Sequence, residues 1–305
     1  MNYLFGPPVE KINKLSSDQL EALFKNKNIL IVGGTAGIGK ALAIASLNRG
    51  SNVTVVGRRN PGQDLEKAKF IQKDLTLMRD ASKLPNDIDL SKYDIAVFTN
   101  GIIASNERVL TKEGVEIDMA VSCLSRFAIL KHFVSKKFAA NRFDKKVKPR
   151  LFLMGFPGKD ITVEDVDDMN SEKKYSLMNA HMNTVVANDA FVTYFAKALP
   201  NTNVYGLNPG LIKTEIRDNA LGKGSWLSFI TESVIGAFYP TTTTFAENTL
   251  VHLMVSPELE NKTDTSFGPD LSILKRNSFL EKDNNYERII KSIDGLLDKA
   301  LGATF

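Results

Sequence analysis

Residues 175–188 read YSLMNAHMNTVVAN and hold two side chains that could move a proton, a phenol at Tyr175 and an imidazole at His181. An unperturbed phenol has a pKa of about 10 and an unperturbed imidazole a pKa of about 6.5. An imidazole can therefore donate a proton near neutral pH without help, whereas a phenol needs a neighbouring positive charge. The apolar spacing that follows predicts an amphipathic helix ending near Leu199.

A second stretch, VGGTAGIG at 32–39, is suited to holding a phosphate group. It follows the apolar run NILIVGG, opens a helix pattern that Gly50 closes, and precedes a second apolar run, NVTVVGRR. This order predicts a strand, a sharp turn, a helix and a parallel strand. Glycines let the backbone approach a pyrophosphate, and the free N–H groups of a helix N-terminus favour the anion. The glycines of the turn are Gly33, Gly37 and Gly39.

The composition is that of an ordinary globular protein, with 305 residues of which 43% are hydrophobic. A net charge of +4 from 39 basic and 35 acidic residues is too small to indicate a nucleic-acid partner. A single cysteine, Cys123, excludes an internal disulfide and fits a reducing compartment. No apolar run has the length of a membrane span, and the N-terminus has no leader pattern. We therefore expect a cytoplasmic protein with no integral membrane segment.

Three segments are expected along the chain. Residues 1–26 form an extension with a short helix from about Asp18, where Asp18 and Glu21 have capping-box spacing. Residues 27–269 form the dinucleotide-binding and catalytic domain, and residues 270–305 form a peripheral helical tail.

The spacing G-x-x-x-G-x-G resembles that of the short-chain dehydrogenase/reductase family. The resemblance continues in KDLT (73–76), AVFTNGI (96–102) and GLNPGLIKTEI (206–216), and covers roughly residues 27–260. It implies an α/β fold, a single-domain Rossmann-type doubly wound parallel sheet with helices on both faces. It also implies a set of cofactor-binding residues: Gly33, Thr35, Gly37, Ile38 and Gly39 at the pyrophosphate, Asp74 and Leu75 at the adenine, Asn100 and Gly101 at the ribose, and Pro209, Gly210 and Thr214 at the nicotinamide.

The end of the second strand indicates which dinucleotide binds. NAD sites place a carboxylate there for the ribose hydroxyls, and that carboxylate would repel a 2′-phosphate. Here Gly57 is followed by Arg58 and Arg59, with no acid. Because a guanidinium is planar and always charged, it suits a phosphate. The sequence favours NADP(H) over NAD(H), with Arg58 the better candidate; both arginines could instead be solvated loop residues.

The catalytic tetrad of the family, Asn, Ser, Tyr and Lys, is not matched. In register, the asparagine falls at Ser122 and the serine at Gly155 and Phe156. VVANDAFVTYFAKALP resembles the family's segment just after the lysine. Counting back from it, and forward to Pro209, places the tyrosine at His181 and the lysine at Val185. In a second register, Tyr175 is the tyrosine and Asn179 its partner. Candidate catalytic residues are His181, Tyr175 and Ser122, although His181 could instead fill a vestigial pocket and Ser122 could be structural.

Two functions stay open at this point. One is NADP(H)-dependent reduction of a small aldehyde or ketone, in an atypical branch resembling fungal aldehyde reductases. The other is a catalytically inactive dinucleotide-binding protein that senses redox state or binds a partner. The segment after Thr214 could close over a carbonyl substrate, form a dimer surface or dock on a membrane. No metal site is expected, because His132, His252 and Cys123 lack ligand spacing; a homo-oligomer is left open.

Overall fold

A computed structural model describes residues 10–103, 106–135, 147–212 and 240–303. Its strands are β1 (Asn28–Val32), β2 (Asn52–Gly57), β3 (Lys69–Gln72), β4 (Ile95–Phe98), β5 (Arg150–Met154), β6 (Asn203–Leu207), β7 (Thr265–Phe267) and β8 (Ile273–Leu274). They form one sheet in the order β3-β2-β1-β4-β5-β6-β7-β8. All neighbours pair in parallel except β8, which is antiparallel to β7.

Helices lie between the strands along the chain. They are α1 (Ser17–Phe24), α2 (Gly37–Asn48), α3 (Met78–Asp87), α4 (Ser125–Ser135), α5 (Leu177–Ala198), α6 (Thr242–Phe245), α7 (Val251–Val255) and α8 (Asn285–Gly302). A π-helical turn, Met119–Leu124, leads into α4, and a second, Ala246–Leu250, joins α6 to α7. Short 3-10 turns occur at Gln63–Leu65, Leu90–Lys92, Pro257–Leu259 and Ser278–Glu281. Among the described helices, none combines the length and the apolar character needed to cross a bilayer.

The sheet separates two apolar layers. In β1, Leu30 and Val32 belong to one layer and Ile29 and Ile31 to the other, because successive side chains of a strand point to opposite faces. Buried residues of α3, α4, α5 and α8 fill the first layer, and those of α1, α2, α6 and α7 fill the second. The predicted single-domain, doubly wound sheet with helices on both faces is confirmed.

The N-terminal helix is capped by other residues than those predicted. Ser16 Oγ accepts the backbone N–H of Gln19 at 3.3 Å, and Gln19 Oε1 accepts the N–H of Ser16 at 2.8 Å. The capping box is thus Ser16 with Gln19, and the Asp18–Glu21 box was wrong. Asp18 lies in the first turn instead, where its charge complements the helix dipole.

The C-terminal segment contributes to the core. The apolar face of α8, which includes Ile289, Ile293 and Leu297, is buried in the layer that α5 also fills. Earlier in the same segment, β8 pairs antiparallel with β7 and forms an edge of the sheet. The tail is therefore packed against the domain, while the boundaries at residues 26 and 269 stay predictions.

This packing predicts that α8 unfolds together with the domain. Ile293→Ala removes a fully buried side chain, so we expect a loss of about 2–5 kcal/mol in the free energy of unfolding. Lys291→Ala, at an exposed position of the same helix, should leave stability nearly unchanged. Urea unfolding followed by circular dichroism measures both. A separate early transition in the Ile293 variant would contradict a shared core.

Candidate active site

The turn after β1 approaches the end of β4 too closely for any side chain. Gly33 has a φ of +88°, and a Cβ there would lie 2.4 Å from the backbone nitrogen of Asn100. A Cβ on Gly39 would lie 2.4 Å from the carbonyl oxygen of Gly33. The α2 helix begins here, and Ala36 at its N-cap provides no side-chain cap. The turn is thus a bare backbone cradle beside uncapped helix N–H groups, which fits the pyrophosphate of a dinucleotide.

The end of β2 lies next to this cradle. A Cβ on Gly57 would meet Thr35 Oγ1 at 2.5 Å, so the turn and the strand end are in contact. Arg58 and Arg59 follow and are exposed. Gln72 Nε2 donates to the carbonyl oxygen of Arg58 at 3.2 Å and links the arginine backbone to β3. Arg58 and Arg59 thus follow β2 directly beside the turn that contains Thr35.

The residues after β3 and within α2 are also at this edge of the sheet. Asp74 Oδ1 accepts from the backbone N–H of Thr76 at 3.0 Å and from its hydroxyl at 2.8 Å. Leu75 is buried in the layer that also holds α3, and Ile38 is half-buried against the opposite layer, which holds α2. The local turn made by Asp74 fixes the backbone on which Leu75 sits.

Asn100 and Gly101 follow β4 and contact the segment before α4. Asn100 Nδ2 donates to the carbonyl oxygen of Val121 at 2.6 Å and to Ser125 Oγ at 3.1 Å. A Cβ on Gly101 would lie 3.5 Å from Ser122 Oγ. The predicted ribose position and the predicted catalytic serine are therefore neighbours.

The turn after β6 is held by its own asparagine. Asn208 Nδ2 donates to the carbonyl oxygen of Pro157 at 2.7 Å, and Asn208 Oδ1 accepts from the N–H of Gly210 at 2.8 Å. These bonds fix Pro209 and Gly210 at the same edge, and Gly210 has a φ of +68°. Thr214 and the apolar residues of the segment after it, which could close over a substrate, form a dimer surface or dock on a membrane, lie outside the described residues. Those residues are Trp226, Phe229, Ile230, Ile235 and Phe238.

His181 is the centre of a polar group formed by two separate segments. It lies in the second turn of α5, and its Nδ1 is 2.8 Å from Asp118 Oδ2. The other oxygen of Asp118 accepts from Ser122 Oγ. Ser122 Oγ also accepts from the N–H of Ile102 at 2.9 Å, which connects the group to the end of β4. The structure thus brings two predicted residues, His181 and Ser122, to one carboxylate.

Asp118 itself was missed by the sequence reasoning. Its side chain is 0% exposed, whereas that of His181 is 27% exposed. The one available signal was an acid four residues before Ser122, a spacing that puts both on one face of a helical turn. The π-helical turn at Met119–Leu124 begins directly after Asp118.

Tyr175 lies two residues before α5 and is half-buried near the carboxylates of Glu116 and Asp118. Burial raises the pKa of its phenol, and the negative charges of Glu116 and Asp118 raise it further. Asn179 hydrogen-bonds the carboxylate of Glu164 instead. Tyr175 thus precedes the helix and does not share a helical face with Asn179, and its raised pKa makes it a weaker acid than a free phenol.

The positions expected for the family's lysine and serine hold apolar or small residues. Val185 on α5 is 6% exposed, and Gly155 and Phe156 follow β5. One cation near these positions is Arg126, a buried guanidinium that was not predicted. It donates to the carbonyl oxygens of Asn100 and Met154, and at 2.8 Å to Asn188 Oδ1. Burial lowers its pKa to about 10, so it stays charged at neutral pH.

Metal ligation finds no support in the described part of the chain. No group of three or more His, Cys, Asp or Glu side chains there could hold a metal ion. His252 is engaged elsewhere, with its Nδ1 accepting from the N–H of Leu15 at 3.0 Å.

Comparison with known proteins links this geometry to a family. No family model matches the chain. An uncharacterized oxidoreductase of Saccharomyces cerevisiae is 39% identical over 282 residues, which cover 91% of this chain and 90% of that protein. Human retinol dehydrogenase 14 is 24% identical over 297 residues, 86% of this chain and 83% of that protein.

Solved structures share the fold. A short-chain dehydrogenase of Shigella flexneri complexed with NADP superposes with a TM-score of 0.58 at 15% identity, covering 82% of this chain and 99% of that one. Aldohexose dehydrogenase of Thermoplasma acidophilum gives a TM-score of 0.59 at 17% identity, covering 81% and 94%. With the glycine cradle and the strand-end residues in place, the chain belongs to the short-chain dehydrogenase/reductase family.

Proposed function

We propose that the protein is an NADP(H)-dependent oxidoreductase that reduces small aldehydes or ketones to alcohols. The observation that carries the proposal is the contact of the His181 imidazole with a buried carboxylate, at the position that the sequence register predicts for the family's tyrosine. The names of the relatives, an oxidoreductase and a retinol dehydrogenase, support carbonyl chemistry. We place the protein in the cytoplasm on the strength of its single cysteine.

The chain offers matching residues for each part of the cofactor. The Gly33–Gly39 turn would hold the pyrophosphate, Asp74 and Leu75 the adenine, and Arg58 with Arg59 the 2′-phosphate. Asn100, Gly101 and Pro209–Gly210 would surround the nicotinamide half. A bound nicotinamide supplies a hydride to the carbonyl carbon. The NADP complex of the Shigella flexneri dehydrogenase supports a cofactor of this class.

His181 would supply the proton that completes the alcohol. The carbonyl oxygen gains negative charge as the carbon is reduced, and a positioned acid that donates to it lowers the barrier. The proton moves from the imidazole to this oxygen, and solvent then returns one to the ring. Ser122, bonded to Asp118 and to the N–H of Ile102, would hold the carboxylate in place.

An exposed apolar side chain close to His181 favours a substrate with an apolar part. Met178 is 60% exposed on the first turn of α5, three residues before His181 and so on the same helical face. Tyr175 lies at the entrance to the same helix. An apolar side chain beside the acid suits a carbonyl compound without charge.

A second candidate function is non-catalytic dinucleotide binding. It is favoured by Val185, whose buried apolar side chain can neither bond a ribose nor stabilise a phenolate. A protein of this kind would bind NADPH and either sense redox state or present a surface to a partner. The two candidates differ in turnover and share the cofactor.

The arginines after β2 predict the preference for NADPH. Arg58→Ala removes a charge-assisted contact of about 1.5–3 kcal/mol, so the Kd for NADPH should rise about ten- to a hundredfold while that for NADH stays unchanged. Lys69→Ala removes a charge at the other end of β3 and serves as the control. Nucleotide fluorescence titration measures the Kd values for NADPH and NADH in the wild type and in both variants. Equal losses for NADPH and NADH would contradict a phosphate-binding role for Arg58.

Turnover tests the role of His181. With NADPH bound, the wild type should reduce members of a panel of small aldehydes, and His181→Ala should lower kcat about a hundred- to ten-thousandfold without weakening NADPH binding. His132→Ala, which changes a histidine on α4 bonded to its own helix, should retain activity. NADPH binding by the wild type with no turnover across the panel would support the second candidate instead.

A further inference from the structure

The carboxylate of Asp118 is fully buried, and a contact is present at each of its oxygens. One oxygen lies 2.8 Å from His181 Nδ1, and the other accepts from the Ser122 hydroxyl. The direction of the second bond follows because an ionised carboxylate can only accept. The carbonyl oxygen of Ile102, 3.3 Å from Ser122 Oγ, is a longer alternative acceptor for the same hydrogen, and the N–H of Ile102 donates to Ser122 Oγ. The serine hydrogen is therefore available for Asp118, whose oxygens act as acceptors on both sides.

Because an ionised carboxylate only accepts hydrogen bonds, the ring nitrogen facing it must carry the hydrogen. This requirement selects between the two tautomers of a neutral imidazole. With Nδ1–H directed at Asp118, the other nitrogen, Nε2, is the one left for a ligand. In the protonated ring, Nε2–H is then the group that can donate.

We propose that Asp118 is the positioning residue of this site, which holds His181 in the Nδ1–H form and presents Nε2 to the carbonyl substrate. The proposal rests on the proposed function for its catalytic meaning and on the contacts above for its geometry. Asp118 thus takes the supporting role of the family's lysine, which is absent at Val185. The proton donor that it supports is His181 instead of a tyrosine.

Several titratable groups surround the Asp118–His181 pair. Glu116, two residues before Asp118, is buried, and burial raises the pKa of its carboxyl. Arg126 on α4, the Tyr175 phenol and the Cys123 thiol also interact electrostatically with Asp118. Of these groups, Glu116 is the matched control, because its buried carboxylate accepts from the backbone N–H groups of Met119 and Asp118 and not from the imidazole.

The ring nitrogens can be observed without turnover. In the 15N-labelled full chain, long-range proton–nitrogen correlation should show the neutral His181 ring as the Nδ1–H tautomer. Asp118→Asn should move it toward Nε2–H, because an amide can donate to Nδ1. Glu116→Gln should leave the tautomer as in the wild type. An Nε2–H ring in the wild type, or an unchanged ring in Asp118→Asn, overturns the proposal, and the wild-type spectrum decides even if the variant fails to fold.

Kinetics give the second readout. Asp118→Asn should lower kcat about a hundredfold or more and shift the pH profile of kcat/KM, with the Kd for NADPH unchanged. A changed tautomer with undiminished kcat would overturn the positioning role. If the wild type reduces no carbonyl compound, the proposed function fails, while the nitrogen spectra still report on the Asp118 contact.

Discussion

The site depends on the hydrogen bonds that the buried guanidinium of Arg126 donates. The guanidinium lies where the ends of β4 and β5 meet α5, and it bonds the carbonyl oxygens of Asn100 and Met154 and the side chain of Asn188. Removing a charge from water is costly unless hydrogen bonds replace the lost hydration. Those bonds come from three elements at once, so the charge is accommodated only when all three are in place.

This arrangement couples the sheet edge to the helix that carries His181. Asn188 also donates to the carbonyl oxygens of Ser122 and Thr184, each at 2.8 Å, and so joins α5 to the segment before α4. The Asp118–His181 contact forms across that same junction. A site held on rigid elements by buried hydrogen bonds keeps its acid in one orientation.

Parts of the site were readable from local sequence. The cradle followed from glycines placed between a strand pattern and a helix pattern, and the structure shows why Gly33 and Gly39 must be glycine. Counting positions from Pro209 put His181 in the tyrosine's place, and the structure places it beside Ser122's partner, Asp118. The cap of α1 was missed because two candidate boxes overlap, and a single sequence does not rank them.

The sequence by itself predicted the β-α-β unit and its glycine turn, because these depend on periodicity and on backbone sterics within short windows. The rest of the sheet and the cofactor-binding edge were implied by the resemblance to the family. Only the tertiary structure decided the roles of Asp118 and Arg126. Asp118 meets a histidine 63 residues away, and Arg126 meets partners 26, 28 and 62 residues away. A buried charge is stable only when such distant partners converge on it, and their convergence is a property of the folded chain.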